Sequence, residues 1–142
     1  MVPGRPIHWR RNLLILYWFW MFVLTHWPDI DEYTPDEIRL IPHLDKITHC
    51  VMYLGWILLW GQLLSGGGRR LGPALLSRLG IGGVAWAAFD ELTQAFVARQ
   101  PSLADFFCDL GGILIGLGVL LACQRRRERS AGAASAVLPE AR

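Results

Sequence analysis

Charged positions along the chain crowd into a few short stretches. Between them, residues 12–27, 47–65, 79–97 and 103–123 form four predominantly apolar runs. A helix rises about 1.5 Å per residue, so roughly 20 apolar residues cover the ~30 Å of bilayer hydrocarbon. The first run is short for that purpose, but Trp9, Trp18, Trp20 and Trp27 flank it, and indoles favour the headgroup boundary. A soluble helical bundle would instead show polar residues every few positions along each helix. The pattern therefore predicts an all-α membrane protein of four transmembrane helices. The first run also resembles a signal peptide, because Arg5, Arg10 and Arg11 precede it. Its apolar core ends in Thr25-His26-Trp27-Pro28 with no small-residue cleavage site, so it reads as an uncleaved spanning helix.

Composition adds little to this. The chain has 142 residues, 53% hydrophobic and 18% charged, totals that a soluble domain could also bury. Cys50, Cys108 and Cys123 form no C-x-x-C pair, and their odd number excludes a full disulfide framework. They read as small apolar filler in helix packing.

Charge sets the direction of threading. Of the 14 basic residues, all but Arg39, Lys46 and Arg99 lie before the first run, between the second and third, or after the fourth. Basic loops stay on the cytoplasmic side. Both termini and the 66–78 loop, with Arg69, Arg70 and Arg78, are therefore expected inside, and the 28–46 and 98–102 loops outside. The expected organisation is a basic cytoplasmic segment at 1–11, a membrane domain at 12–123 and a disordered cytoplasmic tail at 124–142. The tail opens with Arg125, Arg126, Arg127 and Arg129 and ends at Arg142. Its arginine cluster suits an anionic lipid surface, and the Ala, Ser and Gly that follow suit disorder. So short a basic run argues against nucleic-acid binding. The first outer loop is acidic, with Asp29, Asp31, Glu32, Asp36 and Glu37. Thr34 and Pro35 read as a helix cap and first helical position. Ile38, Leu40 and Ile41 would lie along the membrane surface before Pro42 ends the segment. A solvated loop and a functional lid both fit.

The polar residues inside the apolar runs are the informative ones, since an aspartate near a bilayer centre costs roughly 2.5–3.5 kcal/mol. Asp45, His49 and Tyr53 follow at four-residue steps and share a helical face with Lys46 beside it; Glu91 and Gln94 are three apart; Ser102, Asp105 and Asp109 repeat the pattern. Arg99 sits in the turn before them. From the helical rise, His49 and Asp105 lie about 3 Å below the outer surface, and Tyr53, Glu91 and Asp109 about 9 Å. Three helices thus bring polar faces to one depth. The same residues could simply pair to hold the helices together, Arg99 with Glu91 or Asp105 and Lys46 with Asp45 or Asp109. Gly83-x-x-x-Ala87 and Gly112-x-x-x-Gly116 permit close helix contacts, the second just beneath the polar cluster.

Taken in order, these motifs resemble the VanZ-like family of small integral membrane proteins. The family stretch Asp-Lys-x-x-His-x-x-x-Tyr is matched by Asp45, Lys46, His49 and Tyr53. Its Glu-x-x-Gln is matched by Glu91 and Gln94, and its arginine turn and Ser-x-x-Asp-x-x-x-Asn-x-x-Gly-x-x-x-Gly by Arg99, Ser102, Asp105, Asp109, Gly112 and Gly116. The match covers residues 45–116. Two positions depart from it. Val97-Ala98 stand where the family has Pro-Gly before the arginine, and Asp109 stands where it has asparagine. The resemblance implies a multi-pass protein of the bacterial cytoplasmic membrane and a link to resistance against the glycopeptide teicoplanin; it supplies no biochemical mechanism.

Three functions fit these residues. In the first, an outward-facing pocket formed by the ten motif residues from Asp45 to Asp109 binds an amphiphilic or lipid-linked envelope compound, with Lys46 and Arg99 on an anionic group. In the second, a membrane enzyme acts on a lipid or envelope precursor, with His49 as acid or base and Glu91 and Asp105 orienting it or holding a metal. In the third, the cluster is an interhelical network in a structural or partner-binding protein. Transport fits four helices poorly unless the protein oligomerises. No H-E-x-x-H, Walker, Rossmann, haem or zinc-finger pattern is present, so the sequence predicts no cofactor and no metal. Membrane lipids are the expected surroundings.

Overall fold

A computed structural model of the chain describes residues 7–28, 35, 38, 40–66, 68–97 and 99–137. Arg5, Thr34, Ala98, Arg39, Arg142 and the acidic residues Asp29, Asp31, Glu32, Asp36 and Glu37 lie outside the described residues. The described chain is helical: α1 is Ile7–His26, α2 Leu44–Leu64, α3 Pro73–Gln94 and α4 Leu103–Val137, with a 3-10 turn at Ala95–Val97 closing α3. Each expected apolar run falls on one helix.

Two of these helices, rather than four, are long and apolar enough to cross a membrane: α2, and α4 over Leu103–Ala133. The other two are diluted by their own chemistry. Helix α1 begins with Arg10 and Arg11 and is rich in indoles, while α3 carries Arg78, three glycines, Asp90 and Glu91. Helix α3 starts with Gly72 as cap and Pro73 in the first turn, where a missing N–H costs nothing. Helix α4 starts at Ser102, whose Oγ accepts the Asp105 N–H at 3.3 Å, the usual capping arrangement. It also runs past the expected end at Cys123 and through the predicted disordered tail as far as Val137. Arginine, glutamate and alanine are good helix formers and make up most of residues 125–137.

The close pairing of α2 with α4 organises the bundle. A Cβ at Gly112 would collide with the Cys50 carbonyl oxygen, and one at Gly116 would lie 2.8 Å from Ile57 Cγ2. Only glycine at these two positions lets the backbones approach this far. Gly83 is less crowded, facing the side-chain ends of Ile113 and Ile57 at 3.2–3.4 Å, and Ala87 one turn on is fully buried. Around this seam lie Leu14, Met21, Met52, Trp56, Ile57, Leu79 and Ile113.

Trp18 is half-buried and packs against this core. It packs edge-on against Trp56, Trp60 and Trp86, with ring centroids 5.8, 6.3 and 4.8 Å away. Trp9, Trp20 and Trp27 are the exposed indoles of α1 and its end. Much of the remaining surface is also apolar: Ile15, Leu16 and Phe19 on α1, Val51 on α2, Ile81 and Leu92 on α3, and Leu114 and Ile115 on α4 all face outward. Ile38 N–H donates to Pro35 O at 2.9 Å and Ile41 N–H to Ile38 O at 3.1 Å. The cysteines Cys50, Cys108 and Cys123 are free thiols.

Candidate functional site

At the end of the bundle where α1 and α3 finish and α2 and α4 begin, four helices present polar side chains to one another. Helix α2 contributes His49 and Tyr53, one turn apart and both buried. Helix α3 contributes Asp90, Glu91 and Gln94, and α4 contributes Asp109, all buried as well. The periodicity of the motifs explains this. Residues three or four apart on a helix share a face, and the faces carrying these groups are the ones turned toward the α2–α4 seam.

The central contact joins α2 to α4: His49 Nδ1 lies 3.0 Å from Asp109 Oδ1. Glu91 approaches from α3. Its Oε2 accepts the Ser102 N–H at 2.8 Å, and its Oε1 lies 3.4 Å from Gln94 Nε2. One donor atom from each of His49, Glu91 and Asp109 falls within 4.8 Å of the others. Asp109 Oδ2 and the Tyr53 hydroxyl are buried with no hydrogen-bond partner among the described residues. The Tyr53 oxygen lies within electrostatic reach of Asp90, Asp109 and Glu91.

Other candidates sit at the rim or serve the scaffold. Lys46 is held between carboxylates, with Nζ 2.7 Å from Asp45 Oδ2 and 3.4 Å from Asp105 Oδ1. It meets Asp45 as expected, but its second partner is Asp105, because Asp109 is taken by His49. Asp45 points largely to solvent, its side chain 54% exposed, and stands outside the buried cluster. Ser102 caps α4 through its hydroxyl and holds Glu91 through its N–H. Arg99 is not paired with Glu91 or Asp105. Its Nη1 donates to the Leu24 and Thr25 carbonyls at 3.2 and 3.1 Å, where a helix C-terminus leaves carbonyls unsatisfied and favours a cation.

A second polar layer, absent from the sequence motifs, ties α1 to α3. Thr25 Oγ1 donates to Asp90 Oδ1 at 3.0 Å. His26 lies 3.7 Å from the same carboxylate oxygen, and its Nε2 is 2.8 Å from Thr93 Oγ1. The available signal was depth. Thr25 and His26 end α1 at the level where Asp90 and Thr93 near the end of α3, and two helices running the same way bring such groups to one level.

The cluster is acid-rich. Asp90, Glu91, Asp105 and Asp109 face two imidazoles and Lys46, since Arg99 is spent on α1. Groups arranged this way can exchange a proton between His49 and Asp109, accept hydrogen bonds from a polar ligand, or hold a cation. No family model, curated protein or solved structure matches the chain.

Proposed function

We propose that the chain is a VanZ-like multi-pass protein of the bacterial cytoplasmic membrane, and that its polar cluster binds the head of an amphiphilic or lipid-linked envelope compound. In this reading all four helices cross the bilayer, both termini are cytoplasmic and the cluster opens at outer headgroup depth. The apolar residues exposed on all four helices support membrane immersion, because a water-soluble bundle seldom leaves such a surface uncovered. The distribution of arginine supports the orientation.

The observation that carries the binding reading is the convergence of His49, Glu91 and Asp109 from three helices beside the unpartnered Tyr53 hydroxyl. Buried polar groups without partners are costly, and in a membrane they mark functional sites by default. In this reading Lys46 alone, rather than Lys46 and Arg99 together, holds the ligand anion. Lys46 stays partly exposed at the rim and is free to exchange a carboxylate for a ligand anion, whereas Arg99 braces α1. Binding of a polyprenyl phosphate probe to detergent-solubilised protein tests this. Lys46→Ala is expected to weaken binding about tenfold, the equivalent of one charge-assisted contact worth ~1.4 kcal/mol. Unchanged binding in Lys46→Ala and His49→Ala alike would reject the site.

The α1–α3 layer supports a different role for its own residues. Thr25, His26, Thr93, Arg99 and Asp90 Oδ1 bond to one another or to nearby backbone carbonyls, so they hold helices in place, although Asp90 Oδ2 is buried without a partner among the described residues. The teicoplanin link is the corresponding cellular readout.

A further inference from the structure

We infer that His49, Glu91 and Asp109 form a binding site for one divalent metal ion of the zinc class. Their donor atoms come from α2, α3 and α4 and lie within 4.8 Å of one another, with all three side chains buried. Zinc takes imidazole nitrogen and carboxylate oxygen at about 2.0–2.2 Å, which places tetrahedral donors about 3.4 Å apart. His49 and Asp109 already stand 3.0 Å apart. The remaining gap to Glu91 is at most about 1.4 Å against that spacing. An imidazole with two carboxylates favours zinc over magnesium or calcium, which prefer shells of oxygen alone. Three protein ligands leave a fourth position open, the arrangement of sites that exchange a water for a ligand oxygen.

Two further observations point to an ion rather than to a closed polar network. Asp109 is fully buried, yet its Oδ2 has no partner among the described residues. Tyr53, fully buried one turn beyond His49, also lacks a partner for its hydroxyl among the described residues, within the electrostatic influence of Asp90, Asp109 and Glu91. A dication offsets the two buried carboxylates that Lys46, engaged by Asp45 and Asp105, leaves uncompensated. A water held on such an ion would offer the Tyr53 hydroxyl an acceptor. Outer support is in place as well: the Ser102 N–H and the Gln94 amide orient Glu91, as partners behind metal ligands commonly do. Asp109 stands where the resembled family carries asparagine, so the second carboxylate ligand is this chain's own.

This inference concerns the site of the proposed lipid-binding function but does not need its ligand, and its test contains no lipid probe, so the two can fail separately. Full-length protein without a polyhistidine tag is stripped with chelator in detergent and dialysed against Zn²⁺. Bound metal is then counted by mass spectrometry and affinity measured by calorimetry. One ion per chain is expected. Asp109→Asn and Glu91→Gln keep side-chain shape and are expected to lose more than the roughly 10–100-fold that removal of an outer-shell partner costs, the range expected for Tyr53→Phe. Glu128→Gln, paired with Arg70 near the opposite end of the bundle, is expected to bind as the wild type does. Folded, monodisperse wild-type protein that retains no stoichiometric zinc overturns the inference, whatever the variants do. So does zinc held equally by wild type, Asp109→Asn and Glu91→Gln.

Discussion

His49 and Asp109 meet at 3.0 Å across the α2–α4 seam, and the backbone contact that brings them together lies one turn away. Gly112 follows Asp109 by three residues and rests against the carbonyl of Cys50, the neighbour of His49. The glycine motif and the polar motif are thus parts of one device: the first sets the helix separation at which the second can close.

A methyl group at Gly112 therefore acts on both. Gly112→Ala drives its Cβ into the Cys50 carbonyl, and backbone cannot yield as a side chain does. Destabilisation of about 1–3 kcal/mol is expected, the usual cost of overpacking. Gly118→Ala is the control, since nothing lies within 4 Å of its Cβ position, and it should unfold with the wild type. Thermal unfolding in detergent checks the pair.

Thr25→Val removes the donor to Asp90 Oδ1, whose side chain is fully buried. Leaving a buried acceptor unsatisfied costs about 1–3 kcal/mol. Combined with Asp90→Ala, the second loss should be much smaller than the sum, giving a coupling of about 0.5–3 kcal/mol in a double-mutant cycle. Simple additivity would show that the α1–α3 contact contributes nothing.

Arg99 is predicted to matter for accumulation and not for ligand. Arg99→Ala leaves the Leu24 and Thr25 carbonyls without their cation, a loss of about 1–3 kcal/mol. Folded protein per cell should fall, while the fraction that folds should bind polyprenyl phosphate with wild-type affinity. Immunoblotting and binding on the same preparations separate the two effects.

The threading predicted from arginine placement is open to direct labelling. In a cysteine-free background, a thiol at Leu40, which is 81% exposed, should react with a membrane-impermeant maleimide on intact cells. A thiol at Arg69 should react only after permeabilisation. The reverse pattern would invert the bundle.

Local spacing made much of this arrangement legible. His49 and Tyr53, Glu91 and Gln94, and the Asp109–Gly112–Gly116 series each declare a helical face, and common depth implies that the faces converge. Partners without a side-chain signature were not legible. Arg99 seeks backbone carbonyls, which every residue carries, so its pairing with Glu91 or Asp105 was a plausible choice that the fold does not make. Thr25 and His26 look like the end of an apolar run until Asp90 is placed opposite them. His49, Glu91 and Asp109 carry no fixed spacing as a trio because each comes from a different helix, and only tertiary packing assembles them. The extension of α4 to Val137 was masked by composition: an arginine- and alanine-rich segment suits both a solvated tail and a helix.

The most direct test of the account is His49→Ala, scored in one experiment for membrane level, binding of polyprenyl phosphate and cellular sensitivity to teicoplanin. The account predicts near-normal accumulation with binding reduced at least tenfold (~1.4 kcal/mol) and sensitivity altered. Loss of the protein from the membrane, or full accumulation with unchanged binding and sensitivity, would contradict it.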